Sequence, residues 1–361
     1  MWYFCRNSKH GMELNLPLLK LVSETPGVPG FEKKIRDVII NEVKDVAESF
    51  SVDNMGNLLT VIKGQDSSKR IMVAAHMDEI GYMVSHIDDD GFVYFNTLGG
   101  FDPKTLTAQR VVIHGKEDLV GVMSSKPIHM MTADERTKMP KTTDFYIDLG
   151  LPGDKVKELV EVGNPITRHQ ELMVMGNCVN GKSLDNRVSV YVLIETLKDL
   201  KKNPPAYDFY GVFTVQEEVG LRGANVAAHN VNPDFGIALD TTIAFDLPGA
   251  KAQEKVSHLG KGTGIKIMDA MAICDYRMID FMKQTANDAD IPYQPEIMVA
   301  GGTDTAGVQR MGKSGAIAGA VSIPTRHLHQ VVEMCHPDDI NWSIQLLSLC
   351  AQKMADFDWN P

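Results

Sequence analysis

Carboxylates and histidines stand at the ends of several apolar segments, where they could bind a ligand together. One apolar segment stops at His76, with Asp78 two residues later, and another stops at the neighbouring acids Glu217 and Glu218. A third is predicted to end at Asp240. Two like charges beside a buried segment are unfavourable unless something positive holds them. The pattern therefore predicts a cationic partner for these acids.

Three further residues belong to the same pattern. An apolar segment runs into "PTRHLH", which contributes His327 and His329, and Asp185 lies where a helix is predicted to begin. In open α/β sheets, binding sites form beyond the carboxyl ends of the strands. We therefore expect these side chains and the preceding ones to converge on one edge of one sheet.

Each of these residues alone also has a purely structural explanation. An Asp after a strand is usually a turn or a helix cap, and a Glu pair is usually a solvated corner. Their joint occurrence favours metal binding, because Arg222 and Arg326 can neutralise only one or two of the acids. Mixed histidine and carboxylate ligands suit Zn²⁺, Co²⁺ or Mn²⁺ better than Ca²⁺ or Mg²⁺. Five ligands are enough for two ions about 3.5–4 Å apart that share one bridging carboxylate.

Alternating strand and helix patterns must position these residues. "RIMVAAHMDEIG" is typical of a strand buried on both faces, and "SLDNRVSVYVLIETLKDL" of a helix. Between about residues 79 and 171 the texture changes to short β-rich pieces such as "GFVYFNTLGG" and "QRVVIHGKEDLVGVMSS". "ELMVMGNCV" is grouped with them. The predicted fold is α/β, with a doubly wound, mostly parallel sheet flanked by helices and a small inserted β-barrel.

Composition excludes several classes of function. The chain has 361 residues and a net charge of −11, which disfavours nucleic acid or an anionic membrane as the main partner. Five scattered cysteines without a CxxC pair predict reduced thiols and a cytoplasmic protein. No apolar run approaches the ~20 residues of a membrane span, and the start is no convincing signal peptide. Met12 reads as a better domain start than the eleven residues before it.

Six stretches, in order, resemble the tetrahedral (TET), glutamyl-type cytosolic metallo-aminopeptidases, a family of dinuclear peptidases sometimes labelled endoglucanase. They are "AAHMDEIGYMV", "SLDNRVSVYVLIETL", "TVQEEVGLRGA", "ALDTT", "GGTDTAGVQ" and "PTRHLHQVVE". The resemblance covers residues 12–355, and the combination is far more specific than HxD or a Glu pair alone. It implies a zinc-aminopeptidase-like fold with a catalytic domain at 1–78 and 172–361 and an oligomerisation domain at 79–171.

Carried over position by position, the resemblance implies a ligand set for two zinc or cobalt ions. Asp185 bridges both ions. His76 and Asp240 complete one site, and Glu218 and His329 complete the other. The family usually has an aromatic residue where His327 stands, so a swap between His327 and His329 stays open.

The resemblance also implies the reaction. A water between the metals attacks the peptide carbonyl, with Glu217 as the general base. Asp78 orients His76. The substrate's free α-amine binds the metals, so short peptides lose their N-terminal residue. The segment with Gly301, Gly302, Thr303 and Asp304 lines the substrate pocket. Subunits associate as a homo-oligomer based on dimers, up to a twelve-subunit shell.

Three alternatives to this reading have different chemistry or none. The same metal core could serve an N-acyl deacylase or a carboxypeptidase. A glycoside hydrolase needs two carboxylates about 5–9.5 Å apart across a sugar bond, which adjacent Glu217 and Glu218 suit poorly. A non-catalytic scaffold is disfavoured because every ligand that the motifs require is present. The preferred N-terminal residue does not follow from the sequence.

Overall fold

The structure, a computed structural model, describes residues 13–360, and nine α-helices and seventeen β-strands occur in that range. The prediction that Met12 opens the domain lies outside the described residues. The helices are α1 (Leu16–Glu24), α2 (Lys33–Val43), α3 (Ala133–Thr137), α4 (Gly153–Leu159), α5 (Leu184–Leu200), α6 (Arg222–Val231), α7 (Tyr276–Asp288), α8 (Thr305–Arg310) and α9 (Pro337–Lys353).

The strands form one large sheet and one barrel. They are β1 (Ser49–Val52), β2 (Leu58–Ile62), β3 (Asp66–His76), β4 (Gly81–Ile87), β5 (Val93–Leu98), β6 (Gln109–His114), β7 (Asp118–Ser125), β8 (Phe145–Asp148), β9 (Pro165–Arg168), β10 (Met173–Met175), β11 (Cys178–Gly181), β12 (Tyr207–Thr214), β13 (Phe235–Ile243), β14 (Thr263–Met268), β15 (Tyr293–Ile297), β16 (Ile317–Arg326) and β17 (Glu333–Cys335).

Four parallel strands make the centre of the large sheet, in the order β12, β3, β13 and β16. Antiparallel strands extend it on both sides, with β2 beside β12 and β17 beside β16. A parallel pair, β14 and β15, joins β16 through an antiparallel contact. The predicted α/β fold class is confirmed, with a parallel centre and antiparallel margins.

Helices cover both faces of this sheet, which explains why the central strands are apolar throughout. On β3, Ile71, Val73 and Ala75 enter the main core, whereas Met72 and Ala74 pack in a second cluster on the opposite face. Helix α5 contacts α1, α2 and α9 as well as the sheet. It is therefore buried on nearly all sides, and its sequence is apolar well beyond a single face.

The inserted β-rich region contains a closed barrel in the strand order β4, β5, β8, β7, β6 and β9. Its interior is a separate core, with Tyr82, Val111 and Ile147 among the fully buried side chains. Closing the sheet on itself removes the unpaired edges that a small insert would otherwise expose. The barrel strands lie between Gly81 and Arg168.

Two sequence-based expectations about strands were wrong. "ELMVMGNCV" forms β10 and β11, which extend the large sheet through β17 instead of joining the barrel. The strand expected to end at Asp240 continues to Ile243, because Thr241–Ile243 pair in register with Ile323–Thr325 of β16. In the described part of the chain, no helix is both long and apolar enough to cross a bilayer.

Candidate active site

The carboxyl ends of the parallel strands bring together side chains from five separate segments. His76 is the last residue of β3, and Asp240 lies near the end of the neighbouring β13. Glu217 and Glu218 follow β12, whose Thr214 pairs with His76. The two remaining residues are Asp185, in the first turn of α5, and His329, in the loop after β16.

One candidate metal cluster consists of His76, Asp185 and Asp240. His76 Nε2 lies 3.5 Å from Asp185 Oδ1 and 3.8 Å from Asp240 Oδ1. All three side chains are buried. Ligand atoms about 2.1 Å from a tetrahedral ion lie about 3.4 Å from one another. The spacing of the three donors therefore fits a single Zn²⁺-sized ion.

A second cluster consists of Asp185, Glu218 and His329. His329 Nε2 lies 3.4 Å from Asp185 Oδ2 and 3.7 Å from Glu218 Oε2. Asp185 thus directs one carboxylate oxygen to each histidine, as a bridging ligand must. Glu218 Oε1 is buried and has no hydrogen-bond partner among the described protein atoms. A buried carboxylate oxygen without a partner is consistent with a metal ligand.

Burial raises the pKa of three acids at the site, Glu217, Glu218 and Asp240. At Asp185, by contrast, the neighbouring His329 and His76 outweigh burial and lower the pKa. Burial raises the pKa of Glu217 well above its usual range, and Asp240 and Glu218 add to the rise. Burial and the charge of Asp185 raise the pKa of Glu218 to about 8, although His329 acts in the opposite direction. Carboxyls with such pKa values favour a bound cation or a proton, because the cluster holds more negative than positive charge.

The pKa values of the two histidines are also raised, which for an imidazole favours the charged form. Burial alone lowers the pKa of His76, but Glu217, Asp185 and Asp240 outweigh it and raise that pKa well above its usual range. His329 follows the same balance, and its pKa rises to about 10. Both rings lie where a positive charge is favoured, which is the electrostatic requirement of a metal site.

Asp78 supports both a histidine and the acidic pair. Its Oδ1 lies 3.5 Å from Nδ1 of His76, and its backbone oxygen lies 3.1 Å from the same ring atom. Its two carboxylate oxygens accept hydrogen bonds from the backbone N–H groups of Glu217 and Glu218, at 3.0 and 3.1 Å. Asp78 therefore fixes the imidazole and the turn that carries the acids at the same time.

The neighbouring acids direct their carboxylates to different histidines. Glu217 Oε2 lies 3.7 Å from Nε2 of His76, whereas Glu218 Oε2 lies 3.7 Å from Nε2 of His329. A third potential cluster groups His76 with Glu217 and Glu218. Gln216, directly before them, has a φ of 54°, in the left-handed region of backbone conformation.

The sequence did not single out Glu333, which holds the backbone of two candidate ligands. Its carboxylate is fully buried and accepts hydrogen bonds from the N–H of Asp185 at 2.9 Å and of His329 at 3.0 Å. Arg168, from the end of β9 in the barrel, lies 3.8 Å from Glu333 and donates to the backbone oxygen of Gln330. An acid inside the apolar run "VVEMC" was the available signal.

A second buried group missed from the sequence is Glu79. It accepts two hydrogen bonds from Lys182 at 2.8 and 2.6 Å and one from the hydroxyl of Ser183, and Arg187 lies 3.7 Å away. This ion pair joins the segment after β3 to the start of α5. It therefore holds His76 and Asp185, which lie on those two segments, in a fixed relation.

The segment that follows barrel strand β5 also contacts the site. Gly100, just after β5, accepts a hydrogen bond through its backbone oxygen from Nδ1 of His329 at 2.7 Å, which directs Nε2 toward Asp185. At Gly99, with a φ of 95°, a Cβ atom would lie 2.4 Å from Ile80, so no larger residue fits there. His327 is absent from the candidate clusters found among the described residues.

A cavity of about 670 Å³ opens beside the clusters. Gly301, Gly302 and Thr303, predicted to bind substrate, line this cavity. Asp304, predicted with them, is buried instead, and it accepts a hydrogen bond from the Thr214 hydroxyl at 2.5 Å. Burial raises the pKa of Asp304 to about 7.

Comparison with known proteins points to one family. The profile described as M42 glutamyl aminopeptidase matches residues 56–346. A putative aminopeptidase of Acetivibrio thermocellus is 38% identical over 91% of this chain and 96% of its own length. The lysyl aminopeptidase of Pyrococcus furiosus is 32% identical over 95% of this chain and 99% of its own length.

Solved structures agree with this result. A TET aminopeptidase from a marine sediment thaumarchaeon superposes with a TM-score of 0.91 at 35% identity, covering 94% of this chain and 96% of its own. The TET1 peptidase of Pyrococcus horikoshii, which can assemble into a tetrahedron or a large octahedral shell, gives 0.83 at 32% identity, with 93% and 98% covered. A Thermotoga maritima structure named an endoglucanase gives 0.77 at 30% identity, with 93% and 97% covered.

Proposed function

The chain belongs to the M42 glutamyl aminopeptidase family, and from this premise we propose that it removes N-terminal residues from short peptides with two divalent metal ions. It is a metallo-aminopeptidase, and the resemblance inferred from its six motifs is confirmed. The two-ion mechanism, the role of each residue and the choice of peptide substrates are the proposal.

The proposal depends above all on the position of Asp185 between two histidines. Its Oδ1 faces His76 and its Oδ2 faces His329. We assign Asp185 as the bridging ligand, with Asp240 completing the first site and Glu218 the second. Zinc or cobalt fits this nitrogen and oxygen donor set.

The protein side chains would then handle the proton. When bound, the ions lower the pKa of a coordinated water and polarise the peptide carbonyl. Glu217 accepts the proton of the attacking water and passes it to the leaving amine; burial raises the pKa of its carboxyl, which makes it a stronger base than an exposed glutamate. Asp78 positions Glu217 and His76 together. Gly301, Gly302 and Thr303 contribute to the substrate pocket.

The barrel region supports a proposal about assembly. We propose that residues 79–171 form an oligomerisation domain and that the chain is a homo-oligomer built from dimers, up to twelve subunits. The Pyrococcus horikoshii relative assembles into closed shells. A closed shell would admit only small or unfolded peptides. A cytoplasmic location, expected from the reduced cysteines, stays a prediction.

Three versions of one tripeptide, Leu-Gly-Gly, test the reaction. The zinc- or cobalt-loaded protein is given the free, the N-acetylated and the C-amidated peptide, and products are identified by mass spectrometry. We expect leucine to be released from the free and the C-amidated peptide, and no release from the N-acetylated one or after chelation. Cleavage of the acetyl group would indicate a deacylase, and release of the C-terminal glycine a carboxypeptidase. Hydrolysis of carboxymethylcellulose instead would indicate an endoglucanase.

A further inference from the structure

The residues that line the cavity beside the metal clusters indicate which N-terminal side chain it accepts. An aminopeptidase that binds the substrate's α-amine and scissile carbonyl at the clusters leaves the first side chain to enter the adjoining space. In this protein that space is the cavity of about 670 Å³ whose lining includes His76, Asp185 and Glu218. This inference rests on the proposed function, and it concerns the walls of the cavity away from the candidate ligands.

The accessible walls of the cavity are apolar. Leu221, Ile243, Met271, Met298 and Leu328 contribute to the lining. Ile243 is 39% exposed and Met271 is 49% exposed, so apolar side chains present substantial surface there. Methionine side chains adapt their shape to unbranched or γ-branched partners. Such walls favour an apolar side chain such as leucine or methionine.

Apart from the candidate ligands and Glu217, the charged residues in the cavity lining are Lys266, Asp269 and Glu296, and they interact with one another. Lys266 on β14 lies in register with Glu296 on the parallel strand β15. Lys266 Nζ donates to Glu296 Oε1 at 2.5 Å, and the two side chains are only 2% and 1% exposed. The second oxygen of Glu296, Oε2, is buried and has no hydrogen-bond partner among the described residues, so neither charged group reaches the surface of the cavity where a substrate side chain would lie.

Asp269, the third charged residue of the lining, is held by hydrogen bonds within the protein. Asp269 accepts hydrogen bonds from the backbone N–H groups of Met271 and Ala272, both at 2.8 Å, and from the hydroxyl of Thr303 at 2.9 Å. Its other neighbour is Lys266, whose Nζ lies 3.7 Å from Oδ2. The Asp269 carboxylate caps its own turn and has no oxygen left without a partner.

We propose that this cavity selects peptides with a neutral, apolar N-terminal side chain, because its exposed walls are apolar and the charges of Lys266 and Glu296 neutralise each other inside the protein. A charged substrate side chain would lose its hydration on entry and would meet no free counter-charge. The pair also makes the preference changeable by mutation. Removing Lys266 leaves the Glu296 charge without its partner beside the cavity, and removing Glu296 leaves Lys266 without its hydrogen-bonded partner and with Asp269 at 3.7 Å as its nearest acid. Each remaining charge would then attract a substrate side chain of the opposite sign.

The first experiment compares specificity constants of the metal-loaded wild-type protein on leucyl-, methionyl-, lysyl- and glutamyl-p-nitroanilide. We expect kcat/KM for the two apolar substrates to exceed that for the charged ones by on the order of tenfold or more. In Lys266→Met the ratio of lysyl to leucyl activity should rise on the order of tenfold, and in Glu296→Gln the ratio of glutamyl to leucyl activity should rise comparably. A wild-type preference for a charged residue, or unchanged ratios in both variants, overturns the proposal.

Matched controls come from an exposed pair of the same composition. Lys251 and Glu254 lie 3.6 Å apart with side chains 70% and 44% exposed, and neither lines the cavity. Lys251→Met and Glu254→Gln should leave every ratio unchanged. If a single cavity variant fails to fold, the double variant Lys266→Met/Glu296→Gln, which removes both charges of the pair and leaves Asp269 held by its own hydrogen bonds, decides: it must retain the apolar preference.

A binding measurement separates this proposal from the function on which it rests. The metal-loaded Glu217→Gln protein is titrated with leucinamide, lysinamide and glutamic acid α-amide by calorimetry. Tighter binding of leucinamide supports the selectivity even if the wild-type protein hydrolyses none of the p-nitroanilides, which would count against the proposed function alone. Equal or tighter binding of a charged amide, together with normal hydrolysis, would leave the function intact and refute the selectivity.

Discussion

Exchanging the adjacent acids Glu217 and Glu218 for glutamine, one at a time, should produce two different defects. The substitutions are nearly isosteric, and the two carboxylates face different histidines, His76 and His329. In our assignment Glu218 is a metal ligand and Glu217 is not. Glu217→Gln should therefore retain two metals per subunit, and Glu218→Gln should retain one.

The structure gives the size of the stability change expected for Glu218→Gln. Burial and the charge of Asp185 raise the pKa of Glu218 from 4.5 to about 8. A raised carboxyl pKa means that the folded state binds the proton more tightly than the unfolded chain, so metal-free protein loses stability as the pH rises from about 4.5 through about 8. At pH 7 that loss is on the order of 3 kcal/mol. Glutamine removes it, so Glu218→Gln should raise the Tm of the chelated protein by several degrees.

Glu217→Gln should lose most of its catalytic turnover. A general base contributes about 10²–10⁴-fold to the rate, so kcat of Glu217→Gln on leucyl-p-nitroanilide should fall by roughly that factor. KM should change little, because the metals and the cavity stay in place. The same variant should still show a full increase in Tm on adding zinc.

Metal content by plasma mass spectrometry, Tm with and without chelator, and steady-state kinetics measure these quantities on both variants. Loss of a metal from Glu217→Gln would make Glu217 a ligand, which is the arrangement of the third potential cluster with His76 and Glu218. Full activity in Glu217→Gln would remove it as the base. Two metals and normal kinetics in Glu218→Gln would refute the two-site arrangement.

Three further predictions test other parts of the site. Asp185→Ala should lose both metals while retaining its circular dichroism spectrum, and full occupancy by metal analysis would exclude the bridge. Glu333→Gln should weaken metal affinity about 10–100-fold in chelator competition, since Glu333 holds the backbone of Asp185 and His329; unchanged affinity would contradict that positioning role. Chelated wild-type protein should lose Tm between pH 5 and 8 more steeply than metal-loaded protein, because Glu218 and Asp304 have raised pKa values; parallel profiles would argue against buried, raised carboxyls.

The sequence could predict the fold class and the edge where the site forms. A fully apolar run that stops at His76 is typical of a strand covered on both faces, and residues at the carboxyl ends of such strands lie where binding sites form. The inserted barrel was visible as a change from helical to short β patterns. The segment of β10 and β11 was grouped with the barrel pieces because short antiparallel strands look alike whichever sheet they join.

The residues by themselves determined which chemistry is available: histidines and acids placed where strands end, in numbers suited to two metal ions. The tertiary structure alone decided how they are used. It continued β13 past Asp240, gave one oxygen of Asp185 to each histidine, and brought Glu333 from 148 positions away onto the backbone of Asp185. Metal geometry depends on ångström distances between side chains of separate segments, and those distances are set by strand register and packing, which no local pattern of residues encodes.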